Sequence, residues 1–87
     1  MMYKYLGLET VLDKLAAIYV AADTDERDRI TAGVESFNAQ IAFDPLEVGE
    51  SRESGYRLAF PPLLQTMLHV DYVNRLVRVT DVKRYGH

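Results

Sequence analysis

The chain has 87 residues, 48% of them hydrophobic and 26% charged, with a net charge of −3. That length makes a single domain, residues 1–87, whose core is too small for a deep catalytic chamber, so function is expected on a surface. With no cysteine, a disulfide framework and a thiolate metal site are excluded and a cytoplasmic setting is expected; no apolar run reaches the roughly 18 residues of a membrane span, and Met1–Tyr5 lacks a signal-peptide core.

Residues 2–6 (MYKYL) place tyrosines at alternate positions and precede Gly7, which predicts a short edge strand. From Glu9 to Ala22, Val11, Leu12, Leu15, Ile18, Tyr19 and Ala22 recur at helical spacing and predict an amphipathic helix. Asp23-Thr24-Asp25 supplies capping side chains for a second helix, whose first turn carries Glu26 and Asp28 where the helix dipole favours acids. Ile30, Val34, Phe37 and Ile41 form its apolar stripe. Gly33 beside that stripe is expected to let the two helices approach closely, and Asp44-Pro45 ends the second helix.

Residues 46–55 are dense in charge and small residues and predict a loop. Tyr56, Leu58 and Phe60 then alternate with Arg57 and Ala59, so Arg57 is expected to point away from the core, and Pro61-Pro62 ends the strand. In residues 63–72, Leu64, Thr66, Leu68, Val70 and Tyr72 form the expected core face, with Leu63, Gln65, Met67, His69 and Asp71 opposite. Val73-Asn74 predicts the turn. In the last strand, residues 75–82, Val77 and Val79 alternate with Arg78 and Thr80, and Val82 breaks the phase, marking a bulge or the strand end. The expected fold is therefore α+β: an N-terminal strand, a helical hairpin that covers one face, then three antiparallel strands.

Charge is divided along the chain. Residues 1–50 hold four Lys/Arg and ten Asp/Glu, whereas residues 51–87 hold six and three. The acid lies on the helices and the base on the strands, which suits a strand surface that meets an anion as well as it suits two ordinary solvated faces. Two histidines well apart and no cysteine make a poor metal-ligand set, so neither metal nor cofactor is expected.

The run from Asp44-Pro45 through Gly49-Glu50-Ser51-Arg52 to Tyr56-Arg57, entered from a helical hairpin and followed by a strand pair ending in Arg75-Leu76-Val77-Arg78-Val79, resembles the RelE/ParE superfamily of type II toxin–antitoxin toxins. The likeness covers nearly the whole chain. It implies a toxin silenced by a cognate antitoxin and acting either as a ribosome-associated mRNA endonuclease or as a poison of DNA gyrase; a degenerate, purely antitoxin-binding member has the same fold. For the nuclease branch the resemblance implies catalytic roles for Arg57 and Arg78 as phosphate clamps and for Tyr85 and His87 as acid–base or base-orienting groups, with Arg52, Lys83 and Arg84 as RNA-binding cations. Each has a structural competitor. Arg52 can brace its loop through Glu50 or Glu53, strand arginines are often solvated cover, and Tyr85 and His87 can be a frayed end. His69 is a further candidate beside Asp71.

Overall fold

The structure is a computed structural model that describes residues 3–86. Strand β1 (Lys4–Gly7) leads into helices α1 (Glu9–Ala21) and α2 (Thr24–Phe43), and strands β2 (Glu50–Ser51), β3 (Tyr56–Ala59), β4 (Leu64–Asp71) and β5 (Leu76–Arg84) follow. The sheet has five strands in the order β1-β5-β4-β3-β2. The three expected antiparallel strands are β3, β4 and β5, but the whole layer is mixed, because β1 pairs with β5 in parallel. A parallel pair needs a long crossover, and here both helices lie between the two partners. Glu50–Ser51, expected within a loop, adds a two-residue edge strand on β3.

The α1–α2 junction is held by side chains. Asp23 and Glu26 form a reciprocal capping box, each carboxylate accepting from the other's backbone N–H at 2.8 and 3.1 Å. Arg27 donates to the carbonyls of Tyr19 and Val20 at 2.9 and 2.8 Å, satisfying the open end of α1 from the second helix. The second helix stops where Pro45 forbids its continuation.

The core lies between the helices and one sheet face, with Ile30 and Ile41 of α2 over Leu64, Leu68 and Val77. Gly33 serves a contact other than the expected one between helices. A Cβ there would lie 2.7 Å from Cδ of Pro62, so the glycine admits the β3–β4 turn against α2. Strand β4 alternates buried and half-buried residues along its whole length. Strand β5 buries both Val79 and Val82, three residues apart, because a bulge opposite Met67 and Leu68 takes up one residue and restores the phase.

The structure departs from the expected core at Tyr72 and along β3. Tyr72 is 61% exposed, since β4 ends at Asp71 and residues 72–75 form a four-residue turn beyond the helices. In β3 the buried residue is Ala59, not its bulkier neighbours. Arg57 and Ala59 pair with Leu68 and Thr66 on the helix-side face, and Tyr56, Leu58 and Phe60 take the open face. The helix-side face of β3 is closed by residues 45–49, where Gly49 comes so near Ala59 that a Cβ on it would meet the Ala59 Cα at 2.9 Å. Little but a small side chain fits there.

Candidate nucleic-acid interface on the open sheet face

The face without helices carries two aromatic ends. At one, Tyr56, His69 and Arg78 line up across β3, β4 and β5 as direct cross-strand partners. The His69 and Tyr56 rings meet edge to face, centroids 4.9 Å apart, and His69 Nε2 lies 3.1 Å from the carbonyl oxygen of Ser54. At the other end, the Phe60 and Tyr85 rings meet at a tilt of 49° with centroids 4.9 Å apart, and Lys83 is paired to Gln65 beside them. His69 and Gln65 are four positions apart on β4, about 13 Å at strand rise. Tyr56, Phe60 and Tyr85 are 39%, 47% and 52% exposed, so their rings can take partners from solution.

Of the seven site residues drawn from the sequence, the six that are described do not converge. Arg57 is corrected: it points to the helix-side face, where its guanidinium donates to the carbonyls of Val48 at 2.6 Å and Gly49 at 3.2 Å. It therefore shares no surface with Arg78. Arg84 also turns to the helix side, with Nη2 on the Glu26 carboxylate at 2.5 Å and Nη1 on the Leu63 carbonyl. Arg52 pairs with Glu50 at 2.9 Å and reaches the Ser51 carbonyl, the bracing alternative. Arg78, Lys83 and Tyr85 remain on the open face, and among the described residues neither Arg78 nor Lys83 makes an ion pair within 4 Å. His87 lies outside the described residues.

The hairpin turn sets this arrangement. The Asp71 carboxylate accepts from the Asn74 side chain at 2.9 Å and the Asn74 backbone at 3.1 Å; these bonds, then the nearby Arg78 charge, hold Asp71 below the usual carboxylate range. The resulting turn length puts Arg78 opposite His69. Phe60 and Tyr56 join the site because of the inverted phase of β3, which sequence alternation alone did not reveal. No group of three His, Cys, Asp or Glu side chains among the described residues is placed to hold a metal.

On the other side of the molecule α1 and α2 splay apart over an apolar groove of about 400 Å³, lined by Leu12, Leu15, Tyr19, Val20, Ile30 and Val34. Leu12 and Val20 are 52% and 71% exposed in it. No helix among the described residues is long and apolar enough to cross a membrane.

No protein-family model matches the chain, and no curated protein sequence does. Solved structures do. The toxin–antitoxin complex RelBE2 of Mycobacterium tuberculosis contains a chain that superimposes with a TM-score of 0.73 at 18% identity, over 98% of this chain and 100% of that one. An arginine-to-alanine double mutant of the E. coli toxin RelE in its free state gives 0.69 at 14% identity, over 97% of this chain and 84% of that one. The archaeal RelE–RelB complex of Pyrococcus horikoshii OT3 gives 0.68 at 13% identity, over 100% and 99%. From first strand to last, this chain has the fold of the RelE toxins.

Proposed function

We propose that the chain is the toxin of a type II toxin–antitoxin module, a cytoplasmic protein neutralised by a cognate antitoxin, and that it acts as a metal-independent, ribosome-associated mRNA endonuclease. End-to-end likeness to RelE chains, two of them from complexes with an antitoxin, carries the first part. The groove between α1 and α2 suits an antitoxin helix laid with its apolar face inward.

The observation that carries the nuclease part is the open face itself. Exposed rings at both ends beside Arg78 and Lys83, which have no ion pair among the described residues, match what single-stranded RNA requires: stacking surfaces for bases and positive charge for phosphates. A gyrase poison needs none of these groups to converge, and the engagement of Arg57 and Arg84 within the protein keeps that second reading in play.

Induction of the chain alone, and together with the product of the neighbouring gene, tests both. Growth arrest with new mRNA ends on ribosomes, relieved by the neighbour, is the expected result. Gyrase-linked DNA breaks with intact mRNA would replace the nuclease with the poison, and unaffected growth with neither signal would remove both.

A further inference from the structure

His69 is the one histidine among the described residues, and its ring is held from two sides. Tyr56 meets it edge-on from β3, and the backbone of residues 54–55 closes over its Nε2. Ser54 adopts a φ of 60° and Gly55 one of 83°; a Cβ on Gly55 would come within 3.2 Å of His69 Nε2, so the glycine makes the seat. A carbonyl oxygen only accepts, so the Ser54 contact requires the hydrogen on Nε2. In the neutral ring Nδ1 is then the basic nitrogen, and among the described residues nothing hydrogen-bonds to it. Arg78, directly across on β5, brings to the same row a guanidinium with no ion pair among the described residues, with Asp71 further along β4 and already engaged by Asn74.

We propose that His69 is the general base of RNA cleavage, an assignment that rests on the nuclease reading above. Nδ1 takes the proton of a ribose 2′-hydroxyl. The 2′-oxygen attacks the adjacent phosphorus, the bond from phosphorus to the 5′-oxygen breaks, and that oxygen leaves as an alcohol after taking a proton from water, whose hydroxide recovers the proton held on Nδ1, so the products are a 2′,3′-cyclic phosphate and a 5′-hydroxyl. Arg78 bears on the phosphoryl oxygens where negative charge accumulates. Tyr56 positions the imidazole.

The test uses purified protein and ribosomes carrying one short mRNA, made either with the ordinary 5′-oxygen or with sulfur in its place at the scissile bond. A 5′-thiolate leaves without an acid, so it relieves loss of an acid and not loss of a base. His69→Gln retains an N–H for the Ser54 carbonyl and lacks the base. It is expected to slow cleavage by roughly 10²–10⁴-fold, by the same factor on both substrates. The ratio of the two rates does not depend on how much of the variant is folded. A loss below about tenfold, or selective recovery on the sulfur substrate, overturns the assignment while the unmodified protein still cleaves. No cleavage by the unmodified protein overturns the nuclease reading and this assignment with it.

Discussion

Arg57 and Arg78 lie on opposite faces of the sheet, the first paired across strands with Leu68 above the core and the second with His69 on the open side. Their removal should therefore have separable effects. Arg57→Ala leaves the carbonyls of Val48 and Gly49 without their charged donor beside a buried Val48, and stability should fall by about 1–3 kcal/mol in urea unfolding. Arg78→Ala removes an exposed side chain with no ion pair among the described residues, and its stability change should stay within about 0.5 kcal/mol. On the nuclease reading, RNA cleavage should be lost in the second variant. If Arg57→Ala unfolds at the unmodified protein's urea midpoint, the bracing of residues 48–49 is of no consequence.

A second pair concerns α2 and the β3–β4 turn. Alanine at Gly33 would gain about 1 kcal/mol in helix propensity, yet its Cβ would meet Pro62 at 2.7 Å. The proline ring cannot retreat freely, because the turn is closed by Leu64 N–H on the Pro61 carbonyl at 2.9 Å and holds Leu63 buried with a φ of 64°. Gly33→Ala should thus lower stability, by about 1 kcal/mol or more. In a double-mutant cycle with Pro62→Ala the two changes should couple by at least about 1 kcal/mol. A stabilised Gly33→Ala protein would show that the turn yields.

Both helices, the capping residues and the stop at Pro45 were legible in the sequence, because each rests on local chemistry: a 3.6-residue stripe, a carboxylate before the first turn, a missing N–H. The phase of β4 was legible too, since that strand is half-buried along its length. The phase of β3 is not legible, because its large apolar residues, Tyr56, Leu58 and Phe60, carry the pattern of a core face yet lie on the open side. Its core-side covering is a loop that admits only Ala59 and an extended Arg57, and nothing within residues 56–60 encodes that loop. The parallel partner of β1 and the two-residue β2 are set by distant pairing. For the site, the separation of His69 and Arg78 in sequence says little until the turn length is known, and that length follows from the Asp71–Asn74 bonds.

Helix α1 is tied to β5 by Lys14, which donates to Asp81 at 2.7 Å. That bond first, with the Val82 backbone N–H and the nearby Lys14 and Lys83 charges adding, holds the Asp81 carboxyl below its ordinary range against a partial desolvation. A carboxyl with a lowered folded-state pKa stabilises the fold above its unfolded value near pH 4, and the contribution disappears as pH falls through the lowered value. Both side chains are at least half exposed, so the pair contributes about 0.2–1 kcal/mol. Lys14→Met should therefore melt about 1–6 °C below the unmodified protein at pH 7, and the gap should close on acidification below about pH 4. An unchanged gap at low pH would mean that the methylene stem of Lys14, not its charge, carries the contact.

Tyr85 offers its ring to Phe60 and bonds through its backbone N–H to Leu63, six residues along the chain from His69, so at about 20 Å along the strands it stands too far from His69 to share one phosphodiester with it. On the nuclease reading it serves as a stacking surface for a neighbouring base. Tyr85→Phe preserves the ring and should keep cleavage within about twofold of the unmodified protein, whereas Tyr85→Ala should weaken RNA association by about 1–3 kcal/mol. Steady-state kinetics on the ribosome-bound mRNA separate the two effects, the alanine variant raising KM with little change in kcat. Should Tyr85→Phe lose kcat as heavily as His69→Gln, the phenolic oxygen itself takes part in the reaction, and the two ends of the open face must come together around the same phosphate.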